Sequence, residues 1–220
     1  MSGYYFWGLV SSTLFLSSIP ALVHQLLVIW RRKEQIASGA LSEPATQSIS
    51  LNQIFSSYCG VYSFFLFGLA SPNPDPFLIY PRAIFGIVIY LIIIEIFKER
   101  RSLRAKVAFF SCSGSMLIPF VLIGSGIRSA SSVQVASNVI ICLTVALLAQ
   151  GNIAQYRLLK RSKKRGAVSL PMHLTLYGKD FAGMMFGFQI GASAWSIILM
   201  HAVNLIMRAP IIYSYLRLTR

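Results

Sequence analysis

The chain has 220 residues, of which 55% are hydrophobic and only 12% charged, about half the charged fraction of an average globular domain. So few charges could not solvate the surface of a soluble fold, and the mean hydropathy of +0.65 makes a bilayer the natural solvent. Twenty Lys and Arg against six Asp and Glu raise the question of a nucleic-acid partner, but the basic residues cluster between apolar runs, as in membrane-protein loops, and no nucleic acid is expected.

At about 20 apolar residues per crossing, the length accommodates about seven spans. The first run covers residues 4–30, with Pro20, His24 and Gln25 in its second half. It is too long for the apolar region of a cleaved leader, and no Lys or Arg precedes it. The cluster Arg31, Arg32, Lys33 follows, then a Ser/Ala/Glu/Pro stretch over 37–48. The second run, 52–71, carries Tyr58, and the third, 77–97, carries Arg82 near its start and Glu95 near its end. Glu95 and Lys98 are three residues apart, the spacing of an interfacial helix pair. A second basic cluster, from Lys98 to Lys106, leads to the fourth run, 107–126. The fifth, 133–159, ends at Ala154, Gln155 and a third cluster running from Arg157 to Arg165. The sixth, 172–192, contains Tyr177, Lys179 and Asp180, and the seventh, 194–216, contains His201, Asn204 and Arg208.

These runs lack the alternation of a membrane barrel strand, so the fold class is all-α, with seven transmembrane helices. Sixteen Lys and Arg lie at the ends of helices 1, 3, 5 and 7, whereas the opposite loops hold only Arg128, with Arg82 just inside helix 3. That bias predicts the N-terminus outside and the C-terminus in the cytoplasm. Cys59, Cys112 and Cys142 are scattered through apolar runs without metal-ligand or disulfide spacing. With no nucleophile–base pair, phosphate-cradling glycine loop or metal-ligand set in the sequence, neither an enzyme nor a cofactor is expected.

A shift of 119 residues lays 49–101 over 168–220 without a gap and with 11 identities in 53 positions. Ser50 meets Ser169, Tyr58 meets Tyr177, and Phe67-Gly68 meets Phe186-Gly187. Helix 1 joins at a shift of 130, where Gln25 meets Gln155, so the stretch over 37–48 is an insertion in the first repeat. The predicted organisation is a three-helix repeat over 1–106, a linker helix over 107–131 and a second three-helix repeat over 132–220. A repeat with an odd number of crossings inverts its successor unless one extra crossing restores direction, and parallel repeats of this kind are a transporter architecture.

Ala154-Gln155, the basic turn after it, then Gly166, Ser169 and Pro171 resemble the PQ-loop motif: a Pro-Gln pair at the end of one helix, a basic turn, and a Gly/Ser element opening the next. His24-Gln25 with Trp30-Arg31-Arg32-Lys33 is the first, weaker copy. The resemblance, carried over nearly the whole chain by the 3+1+3 layout, is to the PQ-loop and SWEET-like superfamily. That superfamily includes cystinosin-type amino-acid transporters, SWEET sugar carriers and, more distantly, the KDEL receptor. Two departures stand out. Neither Gln has Pro directly before it: Pro20 lies five residues ahead of Gln25, and Ala154 replaces the second proline. Sugar carriers of this family place Asn on both helices 3 and 7, whereas here Asn204 has Phe85 as its repeat-mate. The resemblance therefore implies the cystinosin-type branch. The expected partners are the lipid bilayer of a bacterial inner membrane or eukaryotic organelle and a small polar solute, an amino acid or charged metabolite. A sugar uniporter and a non-transporting receptor are the alternatives. Asp180-Phe181-x-Gly183 is also similar to a cystinosin-type element whose Asp couples transport to protons.

An ionised group at the bilayer centre costs about 2.5–3.5 kcal/mol on insertion scales, so each needs a reason. Asp180 and Arg208 lie roughly 12 and 13 Å from the cytoplasmic ends of helices 6 and 7, near the middle of a core about 30 Å thick. They either neutralise each other or line a cavity for a charged solute or proton, with Asn204 one turn from Arg208 and Lys179 at the same depth. Tyr58 and Tyr177 share a repeat position and are either packing aromatics or cavity wall. Arg82 and His201, also repeat-mates, are read as an outer gate, with snorkelling of Arg82 to the headgroups as the plainer reading.

Overall fold

The computed structural model describes residues 3–46, 49–71, 73–126, 131–162 and 170–217. Their regular structure is entirely helical: α1 (Gly3–Leu16), α2 (Ile19–Ala37), α3 (Leu51–Ala70), α4 (Pro76–Arg100), α5 (Leu103–Ser115), α6 (Ile118–Gly124), α7 (Ser131–Ser162), α8 (Leu170–Ile190) and α9 (Trp195–Arg217), with a 3₁₀ turn at Ala192–Ala194. These nine helices make the seven predicted runs, because α1–α2 and α5–α6 each form one. Five stretches are long and apolar enough to cross a bilayer: Gly3–Ala37, Pro76–Arg100, Leu103–Gly124, Ser131–Gln150 and Ala192–Ser214. Ile54–Ala70 is a shorter apolar helix. The protein is an integral, multi-pass membrane protein.

Proline explains the two breaks. Hydropathy predicts one helix for the first run; the chain instead turns at Ser17–Ser18, and α2 begins with Pro20 in its first turn. The fourth run turns at Met116–Leu117, with Pro119 opening α6 in the same way. Proline has no N–H to give the preceding turn but fits a helix's first turn, where that N–H would be unpaired anyway. Pro81 lies inside α4 without breaking it. The carbonyl it deprives of a partner, four residues back at Phe77, accepts a hydrogen bond from Arg82 Nη1 instead.

The chain divides into two compact units, Leu16–Ser137 and Met1–Phe15 with Asn138–Arg220. The first holds α2–α6 and the opening of α7, and the second holds most of α1, the rest of α7, α8 and α9. In the first unit α4 is central and packs on α2, α3 and α5. Its Ile89, Ile92, Ile93 and Ile96 form a fully buried stripe at helical spacing. Helix α5 docks through hydroxyls: Tyr58 Oη and Ser115 Oγ are 2.7 Å apart, Tyr62 Oη donates to Ser115 O, and Tyr90 Oη meets Ser113 Oγ at 2.7 Å. Phe97 stacks on Phe109 at 4.4 Å between ring centres.

The insertion between α2 and α3 is held against the end of α4. The Ala45 and Thr46 amides both donate to the Glu99 carboxylate, and the Arg100 guanidinium donates to the carbonyls of Thr46 and Ile49 and to Thr46 Oγ1. Glu95 pairs with Lys98 at 3.5 Å, as its spacing predicts, and also with Lys33 of α2.

In the second unit α8 and α9 form a tight antiparallel hairpin. Small residues permit close backbone approach where lipid gives helices no hydrophobic reason to associate. A Cβ on Gly187 would come within 2.8 Å of Ile198. The α3–α4 hairpin has the same register, because a Cβ on Gly68 would come within 2.7 Å of Leu78 and 3.3 Å of Ile79. Gly68 and Ile79 lie 119 residues before Gly187 and Ile198, the shift read from the sequence. Helix α1 lies along α8, with Tyr4 against Phe186 at 5.4 Å and Trp7 edge-on to Phe181 at 6.0 Å.

Candidate solute-binding site

The site is assembled by the α8–α9 hairpin. His201, Asn204 and Arg208 are spaced i, i+3, i+7 and so share one face of α9. Gly183 of α8 meets His201 and Gly187 meets Ile198. Following that register toward the start of α8 sets Asp180 opposite Asn204. Asp180 is wholly buried and stands between the His201 imidazole and the Arg208 guanidinium. The His201 ring holds Nδ1 3.1 Å from Asp180 Oδ1. A carboxylate only accepts hydrogen bonds, so the imidazole presents Nδ1–H. Arg208 Nε lies 3.1 Å from Asp180 Oδ2. Helical side chains lean toward the helix N-terminus, which lets Arg208 reach back a turn to the level of Asn204.

The pairing is incomplete. Arg208 Nε and Asp180 Oδ2 are at ion-pair distance but not aligned for a hydrogen bond, and among the described residues neither atom has a hydrogen-bond partner. Asn204 Oδ1 has none either, although Asn204 is only 4% exposed. A buried acceptor left open costs about 1–3 kcal/mol. Two such acceptors beside a guanidinium, with its several donors, match the chemistry of a ligand carrying both an N–H or O–H donor and an anion.

Three of the residues singled out in the sequence, Asp180, Arg208 and Asn204, therefore come together. The Lys179 ammonium lies 5.5 Å from the centre of the Phe15 ring. Tyr177 is half-buried on α8, three residues before Asp180. Tyr58 is buried and spent on α5, bonding Ser115 and Cys112 O. Arg82 is 3% exposed and turned inward, onto Phe77 O and within 5.7 Å of the Phe64 ring centre. His201, paired in the sequence with Arg82 as an outer gate, lies on Asp180. Its i−7 spacing from Arg208 is the sequence signal for that position. Pro20 opens α2, and Gln25 lines a cavity of about 200 Å³ in the first unit, shared with Ser57, Phe85 and Ile89. Phe85 and Ile89 are the repeat-mates of Asn204 and Arg208. Of the second PQ-loop copy, Gly166 and Ser169 lie outside the described residues, as do the side chains of Ala154, Gln155 and Pro171. Among the described residues no cluster of His, Cys, Asp or Glu could hold a metal ion.

No family model matches the chain, and no curated protein does. Among solved structures it is similar to "The 3.7 A resolution structure of a eukaryotic SWEET transporter", with a TM-score of 0.64 and 13% sequence identity over 99% of this chain and 97% of that one. At that identity the likeness is one of fold, along the whole of both chains: a SWEET-like seven-helix membrane fold.

Proposed function

We propose that the protein is a secondary transporter of a small zwitterionic solute, of the amino-acid class, working by alternating access without enzymatic chemistry. The observation that carries the reading is the buried Asp180 flanked by Arg208 and His201, with open acceptors on Asp180 Oδ2 and Asn204 Oδ1. A substrate ammonium supplies donors to those acceptors and its carboxylate meets Arg208. A simple anion would leave both acceptors unpaired, and a neutral polyol would donate to them but offer Arg208 no anion. The likeness in fold to a SWEET transporter supports transport as the class of function. The cavity wall formed by Phe85 and Ile89 supports the second repeat's matching face as the substrate-facing one.

Counterflow in proteoliposomes tests this. Vesicles loaded with an unlabelled mixture of neutral amino acids are expected to accumulate labelled amino acid, and vesicles loaded with glucose are not expected to accumulate labelled glucose. Glucose exchange alone would favour a sugar uniporter, and exchange of neither would favour a receptor on the same fold. We also propose the N-out, C-in orientation, the 3+1+3 organisation and descent on the cystinosin-type branch. For orientation, single cysteines at Ser162 and Asn73, with the native cysteines replaced, are expected to react with an impermeant reagent from opposite faces. Reaction of both from one side would overturn it.

A further inference from the structure

A second concave site lies in the first unit, where α4 turns into α5 beside the start of α3. It has a volume of about 250 Å³ and is lined by Ser50, Leu51, Asn52, Arg100, Ser102 and Arg104, with no acidic side chain in its wall. Arg100 is preorganised there: Nη2 and Nε are held by Thr46 and Ile49, leaving Nη1 for another acceptor. The neighbouring carboxylate, Glu99, has both oxygens on the Ala45 and Thr46 amides. Arg104 is exposed and has no ion-pair partner among the described residues. Two helices begin at the pocket, α3 at Leu51 and α5 at Leu103; Ser102 Oγ accepts from the Ala105 amide, and the opening amides ahead of it have no partner within the helix. Arg101, between α4 and α5, adopts a left-handed backbone (φ 46°), a conformation that non-glycine residues seldom take. It is the turn that sets Arg100 and Arg104 beside one pocket.

We propose that this pocket binds the phosphate group of an anionic ligand. Donors from two guanidiniums and two helix ends approach from several directions, which suits a tetrahedral oxyanion better than a planar carboxylate. Its position at the ends of membrane-crossing helices gives two sources for the same chemistry: the phosphate of an anionic lipid headgroup, or a soluble phosphate.

The test uses the full chain in a neutral detergent at constant ionic strength. The thermal unfolding midpoint is followed against inorganic phosphate, short-chain phosphatidylglycerol, or sodium chloride alone. A ligand that binds the folded state raises the midpoint in a saturable way. A saturable rise with phosphatidylglycerol but not with phosphate identifies a headgroup site; a rise with phosphate alone identifies a soluble anion, and a rise with both confirms the shared chemistry. Arg104→Gln, a change at an exposed side chain, is expected to weaken the responding probe about tenfold by removing one charge-assisted contact. Arg157→Gln, in another basic cluster, is expected to leave it unchanged. No saturable rise with either probe would overturn the proposal, and so would equal weakening by the two substitutions, the mark of diffuse attraction.

Discussion

Asp180→Leu is expected to destabilise the protein by about 3–5 kcal/mol, because it strands a buried guanidinium. The Arg208 side chain is only 13% exposed, and arginine does not shed its proton in proteins. The rest of the second unit offers no replacement: Asp180 is the one acidic residue in Met1–Phe15 and Asn138–Arg220. The reverse deletion is expected to be milder. Arg208→Leu removes one partner of Asp180 and leaves His201 at 3.1 Å, and a histidine can carry the compensating positive charge. Its expected cost is below about 2 kcal/mol, and the double substitution should recover most of what Asp180→Leu loses. Thermal unfolding of the four proteins in one detergent measures the cycle. Additive costs in the double would mean that Asp180 does not serve as counter-ion to Arg208, and equal costs for the two single changes would mean that His201 does not compensate for the loss of Arg208. None of the three variants is expected to exchange amino acid in counterflow, since each lacks a charge that the proposed site uses.

Gly183→Ala should produce the other large effect, through the same cluster but from the packing side. The His201 imidazole occupies the space that a Cβ at position 183 would need. The ring cannot simply swing away, because it is buried and its Nδ1 is committed to Asp180. Overpacking of this kind costs about 1–3 kcal/mol, through a displaced side chain or a shifted helix. If the imidazole is the obstacle, His201→Ala introduced together with Gly183→Ala should raise the unfolding midpoint above that of Gly183→Ala alone. A double variant no more stable than the single would place the strain elsewhere in the hairpin. Gly187→Ala is expected to be milder, because the atom it meets, Ile198 Cγ1, belongs to a side chain that carries no hydrogen bond.

The division of the chain into membrane-crossing helices is legible in the sequence because hydropathy and loop charge are read one segment at a time, with no knowledge of neighbours. Helical spacing likewise puts His201, Asn204 and Arg208 on one face of α9, and the 119-residue shift anticipates that both hairpins close at the same glycine. What touches Asp180 is another matter. Counting residues places His201 near the outer end of its helix. It reaches Asp180 because Gly183 leaves room for its ring and the register of α8 on α9 aligns them. Arg82 reads as gate or snorkel in the sequence; a carbonyl freed by Pro81 turns it inward. The breaks at Ser17–Ser18 and Met116–Leu117 are written in Pro20 and Pro119, yet Pro81 and Pro210 sit inside unbroken helices, so proline alone does not specify a break. The docking of Ala45, Thr46 and Ile49 onto Glu99 and Arg100 has no local signal, since those partners lie about fifty residues away. Single-helix properties follow from the order of side chains along one axis. Contacts between helices depend on register, on backbone spacing set by single glycines, and on where a freed carbonyl or amide finds its partner, and the tertiary structure alone decides these.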